Sequence, residues 1–201
     1  MITRRALPML PVLLLLGLCS AATARAEEPA EKKQEPKTDN VKIDDITLVV
    51  PKTWKQGEPK SKMRKAEFQL PVVEGDKEPP ELVVYYFGSF SGSIQANVSR
   101  WIGQFEATGR KMRVTQGESP HGKYVVVDLS GTYNKPVGPP ILQQSRPMPG
   151  ARMLAAILTV EEKGHYYLKL TGLEKSVAAS AKAFRASFGG EAAKEKEVEQ
   201  K

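Results

Sequence analysis

The run Leu82-Val83-Val84-Tyr85-Tyr86-Phe87 is apolar on both faces of any strand it forms, and it constrains the fold more than any other feature of the sequence. Such a strand belongs inside a sheet that is covered from both sides. Two segments can supply the covers. Ile94, Val98, Trp101 and Phe105 make one helical stripe, with Ser93 placed to cap its start and Gly109 to close its end. Val177, Ala181, Phe184 and Phe188 make a second stripe, preceded by the capping box Thr171-Gly172-Leu173-Glu174 and ended by Gly189-Gly190. Each helix has a single apolar side and must lie on something apolar.

The remaining strand signals are alternations. Ile46 to Val50 stops at Pro51, and Ala66, Phe68, Leu70 and Val72 share a face with Glu67 and Gln69 opposite. Val125, Val127 and Leu129 form one face of a strand from Tyr124 to Tyr133. Met153–Val160 and Tyr166–Leu170, joined by Glu161-Glu162-Lys163-Gly164, read as a β-hairpin. The expected fold is therefore α+β: a largely antiparallel sheet of about six strands with two helices packed against it. Asn134–Gly150 holds five prolines without a period and reads as a long irregular loop, the expected place of partner contact.

The ends differ from the middle. Arg4 and Arg5 precede an apolar run from Ala6 to Cys19, and Ala24-Arg25-Ala26 offers small residues at the cleavage positions, so residues 1–26 read as a secretory signal peptide. The run is shorter than the roughly 20 residues that span a bilayer, and no later run approaches that length. Leu18 stands where a lipoprotein box wants a small residue, which argues against anchoring through Cys19. Export to the periplasm or cell exterior is the expected address. Residues 27–40 lack large apolar groups and read as a flexible charged leader, residues 191–201 as a charged tail, and residues 41–190 as the single domain.

The whole chain carries +7, and removing Arg4, Arg5 and Arg25 leaves +4. The expected binding surface is made of two basic groups: Lys52, Lys55, Lys60, Lys62, Arg64 and Lys65, and then Arg110, Lys111 and Arg113. If they converge they would attract an anionic envelope component. Export disfavours nucleic acid as the partner, and solvation of an exported domain is the plainer reading of the lysines.

Val50-Pro51-Lys52-Thr53-Trp54, Asn97-Val98-Ser99-Arg100-Trp101, Gly131-Thr132-Tyr133, Arg152-Met153-Leu154 and Lys169-Leu170-Thr171-Gly172 together resemble a group of uncharacterised bacterial secreted proteins. That group is similar in layout to PsbP, the extrinsic subunit of the photosynthetic oxygen-evolving complex, and to a Ran-binding import factor of the same fold. The resemblance spans Ile46 to Phe188 and implies an α-β-α sandwich with a binding or assembly role. It assigns no ligand and no functional residue.

Catalytic patterns are weak. Gly88-Ser89-Phe90-Ser91-Gly92 sits where a nucleophile elbow would, but Phe90 occupies the serine position. An envelope hydrolase using His121, Asp128 or His165 is an alternative, although strand geometry points His121 and Asp128 to opposite faces. Glu74, Asp76, Glu78 and Glu81 crowd one connection without EF-hand spacing, and two distant histidines cannot make a zinc site. No cofactor is indicated. A third alternative is a small-molecule carrier with a pocket at Ala155 and Ala156. His165, Tyr167 and Lys169 share one strand face, read as solvated. The preferred reading is a noncatalytic exported module that binds a protein partner or an anionic surface.

Overall fold

The computed structural model of the protein describes residues 37–88, 92–138 and 140–199, all within one unit, Glu35–Lys201. The expected signal peptide with Cys19, the leader up to residue 36 and Ser89-Phe90-Ser91 lie outside the described residues. In chain order the elements are β1 (Thr38–Ile43), β2 (Ile46–Pro51), β3 (Lys55–Gly57), β4 (Arg64–Gln69), β5 (Glu81–Tyr86), α1 (Ile94–Ile102), β6 (Lys111–Ser119), β7 (Gly122–Pro136), β8 (Ser145–Val160), β9 (Gly164–Leu173), α2 (Glu174–Ser187) and β10 (Lys196–Glu197). β1 and β2 form a separate hairpin, and the other strands form one antiparallel sheet ordered β10-β6-β7-β8-β9-β5-β4-β3. The fold class is α+β as expected, with more strands than the pattern revealed.

Alternation along the central strands builds two cores. Leu154, Ala156 and Leu158 of β8 face one side, Met153, Ala155 and Ile157 the other, and all six are fully buried. The first side is covered by Val177, Phe184 and Phe188 at α2 and by Ile46, Leu48 and Val50 of the β1–β2 hairpin. The second is covered by Val98 and Trp101 of α1 and by Phe105 beyond it. α1 has nine residues. It is therefore roughly 14 Å long, against roughly 34 Å across eight strands. Part of the second face, over β4 and β5, is left without a helix.

Helix ends depart from the sequence reading in instructive ways. Ser93 caps α1 as expected, its Oγ accepting from the Ala96 amide at 3.1 Å. The helix stops at Gly103 rather than Gly109, and Arg110 donates to the carbonyls of Ile102 (3.1 Å) and Phe105 (3.2 Å) there. The expected capping box of α2 does not form. Its N-cap is Leu173, and the first-turn donors are met from afar by Asp76, whose Oδ2 accepts from the Ser176 amide at 2.9 Å and hydroxyl at 2.6 Å. Asp76→Ala leaves a fully buried Ser176 without that acceptor. It is expected to cost about 1–3 kcal/mol in chemical denaturation. A change below about 0.5 kcal/mol would show the cap to be idle.

Three expectations about order are revised. The Asn134–Gly150 segment is a hairpin arm in which Tyr133 pairs with Met148 and Pro136 with Ser145, closed by the Val137 amide donating to Gln144 O at 2.9 Å. Beyond the Ala151–Leu173 pair the arm meets no third strand on its β8 side, and on its β7 side only the segment around Phe105 bridges to Tyr133, so its prolines need no donor toward a third strand. Thr38–Asn40 of the supposed leader is paired in β1. The supposed tail is tied down too: Glu195 has a 2% exposed side chain that accepts from Arg185 Nε (2.7 Å) and Thr115 Oγ1 (2.7 Å), and β10 pairs with β6.

Candidate functional site

The part of the second face that no helix covers carries polar side chains in a lattice set by strand register. Arg64 pairs with Tyr85 and Tyr85 with Tyr167; Glu67 pairs with Val83 and Val83 with Lys169; Gln69 pairs with Glu81 and Glu81 with Thr171. Residues that share a row and a face are neighbours about 5 Å apart from strand to strand. His165, Tyr167 and Lys169 do share one face, but it is not the solvated face expected. Tyr167 is buried against Trp101 and Phe87, and the Lys169 ammonium is roofed by Gln104 and Tyr133.

Lys169 Nζ donates to Gln104 Oε1 at 2.6 Å and to the Tyr133 hydroxyl at 3.1 Å, and it lies 5.2 Å from the Tyr133 ring centre. Desolvation, with the nearby Arg100 and Arg64 guanidiniums, pushes its pKa down to about 8. Burial pushes the Tyr133 phenol up to about 12 and raises Tyr85 as well, so both hydroxyls keep their protons near neutral pH. Glu67 is almost wholly buried. Burial alone would raise its pKa, but the Lys60 amide at 2.7 Å and Arg64 Nη1 at 3.0 Å outweigh that and hold it below its ordinary value. Lys60 also donates to Glu81 at 2.7 Å. A cavity of about 260 Å³ adjoins this cluster, with Tyr133, Glu81, Lys60, Gln69, Thr171 and Met148 among its walls.

The two basic groups of the sequence do not meet. In the sheet order β6 and β4 are separated by β7, β8, β9 and β5, which puts them about 24 Å apart. Most members are engaged: Lys52 with Asp39, Lys60 with Glu81, Arg64 with Glu67, Lys65 with Asp44, and Arg113 with Glu197. Arg110 serves the end of α1. Lys55, Lys62 and Lys111 are exposed.

The hydrolase residues are not assembled into one site. His121 Nε2 contacts the Thr47 carbonyl at 3.0 Å, Asp128 is gripped by Arg152 at 2.9 and 2.7 Å, and His165 Nδ1 meets Thr159 at 3.1 Å. Burial lowers the His165 pKa and favours the neutral ring. Ser119 is a turn residue, accepting from the His121 amide and donating to Gly122 O. The acidic connection is a fastener: Asp76 caps α2 and Glu78 holds Lys135 and Arg146 of the arm at 3.1 and 3.2 Å. Among the described residues no group of three or more His, Cys, Asp or Glu could hold a metal ion. Ala155 and Ala156 are fully buried within the two cores, so the carrier pocket imagined there is replaced by packing. Among the described residues no helix is long and apolar enough to cross a membrane.

What the sequence missed is the polar lattice. Its members come from β4, β5, β7, β9 and the segment after α1, and only register brings them together. The available signal was Lys169 in step with Tyr167 on one strand face, which the sequence pattern assigns to solvent.

No family model matches the chain, and no curated protein matches it. Among solved structures it is similar to a protein of unknown function from Pseudomonas aeruginosa (13% identity, 74% of this chain and 92% of that one, TM-score 0.42). It is also similar to cyanobacterial PsbP from Synechocystis (12% identity, 81% and 92%, TM-score 0.45). A third similar structure is the Ran-binding protein Mog1p of Saccharomyces cerevisiae (11% identity, 75% and 85%, TM-score 0.43).

Proposed function

We propose that the protein is a noncatalytic, exported binding module that engages a protein partner through the tip of its hairpin arm. One observation carries this reading: at that tip Ile141 is 87% exposed and Leu142 56% exposed. Large apolar side chains grouped at the end of a projecting arm are what a docking contact requires and what a solitary soluble surface avoids. The arm is held in place from the body, since Lys135 and Arg146 of its two strands both bind Glu78. A pre-positioned contact loses less entropy on binding than a loose loop. Export rests on the sequence of residues 1–26, and the resemblance to secreted bacterial proteins rests on the motifs quoted above.

Burying one leucine or isoleucine contributes about 1.5–3 kcal/mol. The double variant Ile141→Ser/Leu142→Ser should therefore weaken partner binding at least about tenfold with the melting temperature unchanged. The measurement is retention of envelope proteins by the immobilised protein at low and high salt, wild type against variant. A protein retained at both salts by the wild type and lost by the variant supports the reading. Equal retention by both forms overturns it. So does retention that vanishes in salt, which would indicate a polyanion acting on the lysines.

A further inference from the structure

The polar lattice under the edge of α1 holds an imbalance of charge. Lys169, Arg100, Arg64 and Lys60 bring four cations to it, and Glu67 and Glu81 bring two carboxylates. Both carboxylates are already taken by Arg64 and Lys60. Among the described residues Lys169 and Arg100 have no carboxylate partner: Lys169 meets only the neutral oxygens of Gln104 and Tyr133, and Arg100 Nη2 donates to Asn97 Oδ1 at 2.5 Å. A desolvated ammonium beside two guanidiniums is unfavourable until an anion joins it.

The donors point the same way. The Tyr133 oxygen accepts from Lys169, which turns the phenolic proton away from the ammonium, and Tyr133 is a wall of the adjoining cavity of about 260 Å³. Tyr85, beneath the Arg64 guanidinium at 5.8 Å, keeps its proton as well. Met148 and Thr171 give the cavity room for a short chain with one more polar contact.

We infer that Lys169, Arg100 and Arg64, with the Tyr133 hydroxyl, form a binding site for the oxyanion head of a small molecule, a carboxylate or a phosphate, whose remaining atoms occupy the neighbouring cavity. The site is distinct from the arm tip, and neither depends on the other. The groups facing Lys169 are Arg100 and Gln104 from the α1 side, Tyr133 from β7, Arg64 from β4 and Glu81 from β5. Affinity is greatest while Lys169 is protonated and falls as pH rises through about 8.

The test is a thermal-shift and calorimetric titration with inorganic phosphate and with succinate at fixed ionic strength, chloride serving as the control. At about 10 mM the preferred anion should raise the melting temperature by about 2–4 °C at neutral pH. The increment should fade by about pH 9.5 as the lysine loses its charge. Lys169→Met and Arg100→Ala should each cut the affinity about tenfold. Lys111→Ala, on β6 beyond β7 and β8 from Lys169, should leave it intact. Arg100 is exposed, so its variant tests the site even if Lys169→Met perturbs folding. A response to phosphate alone, to succinate alone or to both supports the site and names the head group. No response to either anion, an equal response to chloride, or an undiminished response in Arg100→Ala overturns it.

Discussion

Glu195→Ala is expected to cost about 3–5 kcal/mol of folding stability, because it strips one partner from a buried ion pair and leaves the other charge uncompensated. The Arg185 side chain is 11% exposed and that of Glu195 2%, with Nε to Oε1 at 2.7 Å. Arg185 Nη2 reaches Oε2 at 3.3 Å, and the Thr115 hydroxyl donates to the same carboxylate. One carboxylate thereby joins α2, the C-terminal segment and the strand β6. Its loss should also release β10, which contributes only the Lys196–Gln116 and Glu197–Thr115 pairs, and free the Val198 amide that now donates to Val114 O at 2.9 Å. Denaturant unfolding measures the first effect and amide exchange at Val198 the second. Glu195→Gln, which keeps the acceptor oxygen without the charge, should recover part of the loss. Stability within about 1 kcal/mol of wild type would show that the tail is not a structural tie.

Gly122→Ala should be comparably severe for a different reason. Gly122 has φ of 134° at the turn between β6 and β7, and a Cβ there would lie 2.1 Å from the Thr159 carbonyl oxygen. The obstacle is backbone of β8, fixed by ladders to β7 and β9, so no side-chain rotation relieves the clash. A loss of about 3 kcal/mol or more, with the hairpin register disturbed, is the expected outcome in denaturation and in amide chemical shifts. Gly57→Ala is the matched control, because nothing stands within 4 Å of the added methyl. Equal behaviour of the two variants would contradict the tight approach.

Period and burial explain which parts were readable in the sequence. β2, β5, β8 and β9 alternate or run apolar because their residues fill one or both cores, and the α1 stripe marks the side it buries. β6 gave no such signal. Its Met112 is 44% exposed, and its pairing is completed by a strand of two residues from the far end of the chain. The arm was hidden by prolines that a two-stranded ribbon accepts and a wider sheet would not. Helix capping by Asp76 could not be read locally, because donor and acceptor are separated by 100 residues. Lys169 was placed on the correct face, yet its surroundings depend on where α1 ends and on the side chain of Gln104, neither of which is written in the strand itself.

The strand order has a consequence for the sequence of events in folding. β5 gains its inner neighbour only when β9 arrives, and the Val84–Leu168 pair closes a loop of more than 80 residues. Until then the inner side of β5 has no partner strand. A chain delivered N-terminus first, from a ribosome or a narrow conduit, therefore stays without its central ladder until most of it has emerged. Slow, late-committing acquisition of structure follows from contacts of such long sequence separation.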